Sequence, residues 1–239
     1  MRDIFGEEPV WVPSVNPGYV LSKYVKTEMD AYSKKHHKNA SVIFLQNHGV
    51  FVGADSVDGM KKQYDEIMNK IGVQIKRKPD FSGLVVTTGS GAEGNIREII
   101  EILAGLSGSA FYMGGGEVAA LVKDRSSFEP VSSAFTPDHI VYSGSDPLFT
   151  EEADENGIRS AWNSHAYKTG KVPKITAVQG LGIFGAAGTD KAACYALELF
   201  KDTVKIAVYA ESFGGPLFMT REQIDFINNW EAERFRLSV

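Results

Sequence analysis

The chain has 239 residues and a formal net charge of −5, with 43% apolar and 23% charged residues. This length is enough for one large or two small domains that bury a sizeable core, and the mild acidity gives no reason to expect a nucleic-acid or anionic-membrane partner. The single cysteine, Cys194, excludes an internal disulfide bond. The sequence has no apolar run long enough to span a membrane and no signal peptide, so these features together predict a cytoplasmic protein.

The first predicted elements lead towards one histidine. Residues 9–12 form a short predicted strand. Apolar residues then recur at helical spacing from Val20 to Tyr32, which predicts an amphipathic helix that covers a sheet. Four consecutive apolar residues, Val42–Leu45, predict a buried strand that carries the chain to an Asn-His-Gly turn.

That turn, residues 47–49, places His48 at the end of the strand, where loop residues face a cleft. Gly49 lets the backbone turn sharply, and residues 50–53 leave as a second strand. Ser56 is the expected N-cap of the next helix. A structural histidine in a turn is the alternative interpretation of His48.

The turn and the helix after it resemble the signature of the class II aldolase/adducin family. Further segments that are similar to the larger sugar-phosphate aldolases follow the same order, namely residues 11–19, 136–140 and 180–184. The most similar part of that family is the aldolase half of bifunctional rhamnulose-phosphate aldolase/dehydrogenase proteins. The resemblance implies an α/β (α+β) fold with a central, mainly antiparallel sheet covered by helices. It also implies an aldehyde-lyase that cleaves a ketose 1-phosphate by a retro-aldol reaction, with His48 as one ligand of a divalent metal, zinc in the family's aldolases.

Part of the family's pattern is missing from this sequence. The family's aldolases carry a His-x-His pair and a catalytic glutamate ahead of the Asn-His-Gly turn, and this chain has no His-x-His. His36 and His37 are adjacent, and they lie in a lysine-rich run that is typical of a solvated helix end. The resemblance therefore implies the C-terminal portion of a longer or split protein, inactive alone, that forms a homo-oligomer or associates with the missing N-terminal segment. A non-catalytic, adducin-like scaffold or inactive paralogue is the alternative.

The sequence also contains an internal repeat. An offset of 133 residues aligns residues 46–54 with residues 179–187 without a gap. The preceding apolar strands and the following helix caps align as well, and Leu181 stands where the first copy has His48. This repeat predicts a duplicated domain, with residues 1–73 as the C-terminal part of an aldolase-like domain and residues 80–239 as a second, degenerate one. The basic segment between them reads as a solvated linker.

Two polar residues between the copies are candidates for substrate binding. Asp138 and His139 follow Thr136-Pro137 and precede an apolar run that predicts a strand. The resemblance implies contact with the sugar phosphate, and Asp138 could orient His139. An Asp-capped turn with an exposed histidine is the alternative. His165, on a predicted helix, is interpreted as structural.

Two further expectations concern apolar segments. Residues 118–122 predict a short strand after a glycine cluster. Near the C-terminus, apolar side chains exceed what one thin layer needs, which predicts packing on another domain or subunit. They are Tyr209, Phe213, Leu217, Phe218, Phe226 and Phe235.

Overall fold

The computed structural model describes residues 2–231, which form a mixed α/β structure with two sheets. The helices are α1 Arg2–Phe5, α2 Tyr19–His36, α3 Val57–Gly72, α4 Gly94–Ser107, α5 Gly116–Leu121, α6 Arg125–Phe128, α7 Glu155–Thr169, α8 Asp190–Ala210 and α9 Arg221–Asn229. The strands are β1 Val10–Val12, β2 Val42–Leu45, β3 Gly49–Val52, β4 Val85–Thr87, β5 Ser109–Gly114, β6 Leu148–Thr150, β7 Ile175–Val178 and β8 Gly182–Ala187. A short π-helix spans His139–Ser143.

The strands form two sheets. One has three strands in the order β1-β2-β3, and the other has five in the order β4-β5-β8-β7-β6. The five-stranded sheet is mainly antiparallel, since only β6 and β7 pair in parallel. In the three-stranded sheet β1 is parallel to β2, and β2 is antiparallel to β3. The mixed α/β class is therefore confirmed.

The backbone repeats at the offset that the sequence alignment gives. A strand, a helix, an antiparallel strand pair and a long helix occur first as β1-α2-β2-β3-α3 and again as β6-α7-β7-β8-α8. The registers also coincide, because Val42 pairs with Val52 in the first copy and Ile175 pairs with Gly185 in the second. Each copy places a parallel strand on the same side of the hairpin. Below, residues 2–73 are called the first unit, and residues 80–231, which contain the second copy, are called the second unit.

The helix caps repeat in the same way. The side chain of Ser56 accepts a hydrogen bond from the backbone N–H of Gly59, and Thr189 does the same with Ala192. The helix before each hairpin ends in a left-handed residue, which is His37 in the first unit and in the second Gly170. Turn chemistry, and not only apolar patterning, is therefore shared by the two units.

The second unit is packed on both faces of its sheet. Side chains alternate along the strands, so one face meets α8 and the other meets α4 and α7. Phe184 of β8 lies on the second of these faces and has 0% of its surface exposed. In the first unit α2 covers the matching face of β1 and β2. Phe51, which takes the position of Phe184, is 53% exposed.

The predicted linker, residues 74–80, is not wholly solvated. Arg77 forms ion pairs with Glu211 and with Glu117, and the Glu117 side chain is buried. The backbone N–H of Asp80 also donates to Glu117. The segment is thus held on the second unit by charge pairs, while the division into residues 1–73 and 80–239 stays a prediction.

The strand predicted at residues 118–122 is wrong. The chain forms α5 there, after Gly115 and Gly116 adopt positive φ angles of 80° and 50° beneath backbone carbonyls of residues 80–83. A short apolar run fits a helix as well as a strand, and here the glycine turn and the buried Glu117 select the helix.

None of the helices within residues 2–231 has an apolar stretch sufficient to span a bilayer. Among the apolar residues near the C-terminus, Tyr209, Phe213 and Leu217 are exposed, whereas Phe218 and Phe226 pack against core clusters. Phe235 lies outside the described residues.

We expect Phe184→Ala and Phe51→Ala to differ sharply in their effect on stability. Phe184→Ala opens a cavity in a closed core and should lower the free energy of unfolding by about 3–5 kcal/mol. Phe51→Ala removes a half-exposed side chain and should cost less than about 1 kcal/mol. Urea denaturation of the two variants beside the unchanged chain measures both values. Equal losses of unfolding free energy in the two variants would contradict the exposure of Phe51.

Candidate functional site

The Asn-His-Gly turn is fixed by backbone hydrogen bonds and by one side chain. The N–H of Gln46 donates to the carbonyl of Val12, and the N–H of His48 donates to that of Leu45. Asn47 adopts a left-handed conformation with a φ of 57°, which asparagine tolerates better than most residues. The turn therefore presents His48 at the end of β2, as the sequence predicts.

Asn47 also joins the turn to the second unit. Its Nδ2 donates to the carbonyl oxygens of Phe135 at 3.0 Å and of Leu217 at 2.8 Å. Each amide hydrogen thus satisfies one loop carbonyl. Phe135 directly precedes Thr136 and Pro137, which line a cavity together with His48, so the side chain of Asn47 helps to position that wall.

His48, Asp138 and His139 line one cavity of about 440 Å³. The structure therefore brings together all three residues that the sequence singled out. His48 and Asp138 are exposed, whereas His139 is 1% exposed. The remaining walls come from Pro17, Thr136, Pro137, Leu199, Asp202 and Trp230.

The chain around His139 is helical, so the predicted strand after it is wrong. The Oγ1 atom of Thr136 lies 3.4 Å from the backbone N–H of His139, in the manner of an N-cap, and Pro137 stands at the first helical position. The turn continues as the π-helix His139–Ser143, a rare conformation that recurs at functional sites. This capping chemistry outweighs the β-propensity of the apolar residues that follow. It turns His139 inwards, so the expectation of an exposed histidine is also wrong.

Asp202 of α8, and not Asp138, is the carboxylate that faces His139. Its Oδ2 atom lies 3.5 Å from His139 Nε2, at the outer limit of hydrogen-bonding distance. Hydrogen bonding by the His139 side chain lowers the pKa of the Asp202 carboxyl, against the opposing effect of burial. A carboxylate in this position orients the imidazole ring and favours the tautomer with its proton on Nε2.

The other ring nitrogen of His139 is buried without a hydrogen-bond partner among the described residues. In the neutral tautomer that Asp202 favours, this Nδ1 atom is an acceptor. Buried acceptors are almost always satisfied in proteins, by the protein itself, by water or by a ligand. His139 therefore lines the cavity while keeping one buried acceptor, Nδ1, that no described residue satisfies.

Residues 2–231 contain no group of three or more histidine, cysteine, aspartate or glutamate side chains that could hold a metal ion. Catalytic zinc sites use three protein ligands at about 2.0–2.3 Å. Although His48 shares its cavity with two carboxylates and a second imidazole, these groups do not converge as a metal site. The residues present do not fit the zinc that the resemblance implies.

His165 lies on α7, as predicted, and lines a separate cavity of about 210 Å³. Burial lowers the pKa of its imidazole and also that of Lys174 in the same cavity. Arg221 pairs with Asp146 at the wall. This cavity does not include His48, so His165 takes no part in the candidate site.

Sequence reasoning missed the tether formed by Asn47, and it missed Asp202 and Trp230. Asp202 lies in the middle of a long helix with no motif around it, and it reaches His139 only because α8 packs beside the π-helix. Trp230 follows directly after α9 and lines the cavity from there. The sequence signalled only the turn at Asn47, since asparagine tolerates the left-handed conformation.

Comparison of this chain with known protein families, with curated proteins and with solved structures found no match. The resemblance to the class II aldolase/adducin family rests on the residues quoted above.

We expect Asp202→Asn to lower the free energy of unfolding at pH 7 by about 0.5–1 kcal/mol, since the carboxylate is half exposed and its contact is partly screened. The folded-state pKa of Asp202 lies below the unfolded value, so this stabilisation is present above the unfolded pKa of about 3.9 and is lost as the pH falls through the folded pKa. Urea denaturation at pH 7 and at pH 3 measures the difference, with the exposed Asp65→Asn as control. If Asp202→Asn lowered the free energy of unfolding by as much at pH 3 as at pH 7, the stabilising role of the Asp202 carboxylate would be contradicted.

Proposed function

We propose that this chain is one part of a class II aldolase-like lyase that acts on a ketose 1-phosphate and is inactive without a further polypeptide segment. The observation that carries the proposal is the convergence of His48, at the end of its strand, with Asp138 and the His139–Asp202 pair around one cavity. His48 lies 90 positions before Asp138, and Asp202 lies 63 positions after His139, so their meeting is a property of the tertiary structure.

The size and lining of the cavity suit a small polar ligand. Binding cavities for small molecules are usually about 300–1,000 Å³, and this one is about 440 Å³. The carboxylate and imidazole groups of its lining can accept hydrogen bonds from sugar hydroxyls. Trp230 adds an apolar surface of the kind on which the C–H face of a sugar can pack.

In the proposed function, residues of this chain bind the substrate through hydrogen bonds. Asp202 holds the Nε2–H of His139, which leaves Nδ1 free to accept a hydrogen bond from a substrate hydroxyl. Asp138 and His48, both exposed, contact the polar part of the ligand that faces solvent. No step of the reaction is assigned to a metal, since the described residues do not form a site for one.

The resemblance accounts for the predicted inactivity. The family's aldolases use a His-x-His pair and a glutamate, and the sequence has no His-x-His. His48 alone cannot supply the three ligands that zinc chemistry needs. The second unit is no substitute, because Leu181 occupies the equivalent position and leucine binds neither a metal nor a proton.

A non-catalytic scaffold, as in adducin, is the second candidate function. The observation that favours it is the lack of a metal-binding group within residues 2–231. In that case the cavity would be a remnant of an ancestral site, and the fold would serve assembly. The two candidates differ in whether the cavity binds a sugar phosphate.

We expect the chain to bind fructose 1-phosphate with a dissociation constant on the order of millimolar, which is weak because the His-x-His pair and the glutamate of the family's aldolases are not there to contribute. His48→Ala and Asp138→Asn should each weaken binding by about tenfold, or about 1.4 kcal/mol. Chemical-shift titration measures these constants, with the exposed His37→Ala as a control that keeps the affinity. An affinity unchanged by both site variants, or no binding at 50 mM (roughly 50 times the expected constant), would favour the scaffold.

We also expect the purified chain to contain less than stoichiometric zinc and to cleave no ketose 1-phosphate. The reason is that one histidine ligand holds a divalent metal only weakly. Elemental analysis and a retro-aldol assay on the same sample measure both quantities, with His48→Ala beside the unchanged chain. Stoichiometric zinc that disappears in His48→Ala would show a complete site and contradict the predicted inactivity.

A further inference from the structure

Strand β3 is an open edge of the three-stranded sheet. Within residues 2–231 no strand pairs with its outer side. The N–H of Gly53 donates to the carbonyl of Ser41 across the hairpin, and inward and outward groups alternate along an antiparallel strand. The backbone groups of Val50 and Val52 therefore point to the open side, where another strand could bond to them.

In the second unit, the edge equivalent to that of β3 belongs to β8, and another strand covers it. Strand β5 pairs antiparallel with β8 from Ser109 to Met113, with Met113 opposite Ile183 and Phe111 opposite Gly185. The offset of 133 residues places Val50 and Val52 at the positions of Ile183 and Gly185. The open edge of β3 is thus the counterpart of an edge that is occupied elsewhere in the same molecule.

The sheet face next to this edge is also covered in the second unit and exposed in the first. The ring of Tyr112 on β5 lies 5.3 Å from that of Phe184, measured between centroids. Helix α4 covers the same aromatic pair with a row of buried aliphatic residues, which are Ile99, Ile100 and Leu103. Phe51 has the position of Phe184 but neither of these covers, and it is exposed.

Helix α2, beside Phe51, is also less buried than its counterpart α7, beside Phe184. Ile158 and Trp162 of α7 are buried against the cluster that includes α4. The offset places Val25 and Met29 of α2 at their positions, and both are only partly buried. A continuous apolar strip therefore runs from β3 to α2 at the place where α4 lies in the second unit.

We infer that this strip, formed by the β3 edge, Phe51, Val25 and Met29, is the docking surface for a partner polypeptide segment consisting of an amphipathic helix followed by a β-strand. The strand pairs antiparallel with β3, as β5 pairs with β8. The helix lies over Phe51 and α2 with an aliphatic face like that of α4. The inference rests on the repeated backbone and its packing, and it does not depend on the proposed function.

A second copy of the chain fits the surface less well. Two copies joined through β3 would satisfy the edge and bring two Phe51 rings together. However, α2 of each copy already packs on β1 and β2, so this pairing provides no helix in the place of α4. The helix–strand segment covers both the edge and the apolar strip.

Docking on β3 would also reach the candidate site. In the second unit, the hydroxyl of Tyr112 on the covering strand donates to the carbonyl of Leu181 at 2.9 Å. Leu181 is the counterpart of His48. A strand on β3 therefore brings one of its side chains beside His48, which gives the partner segment direct access to the cavity.

The test uses a peptide of residues 93–115, which contains the helix and the strand that cover the equivalent edge in the second unit. Added to the full chain, it should slow hydrogen exchange of the Val50 and Val52 amides by at least about tenfold at saturation, because edge amides become hydrogen-bonded. Phe51→Lys should abolish this protection. Met68→Lys, at an exposed apolar position on α3, is the matched control and should retain it.

A tethered form of the experiment excludes weak affinity as the cause of a negative result. The same segment is fused ahead of residue 1 through a flexible Gly/Ser linker of about 20 residues, which raises its effective concentration to about millimolar. Unprotected Val50 and Val52 amides in the fusion would overturn the inference. Slow exchange of these amides in the chain alone, together with a dimeric mass, would also overturn it and assign the edge to a second copy.

Discussion

The candidate site depends on the hydrogen bonds of one asparagine. Asn47 holds a left-handed turn and donates to two carbonyls of the second unit, so a single side chain sets both the local backbone and the position of His48 against the opposite wall. Gly180 has the equivalent position and a similar φ angle of 70°, but it has no side chain with which to make such a tether. The turn conformation is therefore common to both units, whereas the attachment between them belongs to the histidine-bearing turn alone.

The two units share a backbone fold but differ in how far neighbouring helices and strands cover their sheets. In the second unit, helices cover both faces of the sheet and β5 covers the edge of β8, so the interior is sealed. In the first unit, α2 covers one face of β1 and β2, and the edge of β3 stays open. The histidine thus lies next to the open strand of the less covered unit, in a cavity whose described residues form no group of metal ligands.

The cavity wall that contains His139 and Asp202 is formed by a capped turn, the π-helix and α8. A threonine N-cap and a proline start the turn, the π-helix rotates His139 into the interior, and α8 brings Asp202 towards it. A buried imidazole held by a carboxylate on one nitrogen and unsatisfied on the other is poised to accept a hydrogen bond. The exposed His48 and the buried His139 therefore have different chemical environments although they share one cavity.

Local patterns in the sequence determined a large part of this structure. The strand that ends at Leu45, the amphipathic helix α2 and the caps at Ser56 and Thr189 are set by residues close together in the chain, and the offset of 133 residues reproduces strand register in both units. Such features are predictable because apolar period, turn residues and caps act over a few residues. The segments at 118–122 and 139–143 were predicted wrongly, since a short apolar run suits a helix as well as a strand and glycine turns and capping decided between them.

Only the tertiary structure decided the site itself. The pairing of Asp202 with His139, the reach of Asn47 to Leu217 and the meeting of His48 with Asp138 join residues that are 63 to 170 positions apart. No local signal encodes such distances, because they depend on how helices and sheets pack. The same holds for the contrast between Phe51 and Phe184, two phenylalanines at equivalent positions of the two hairpins. One is exposed and the other buried because β5 and α4 cover only the second.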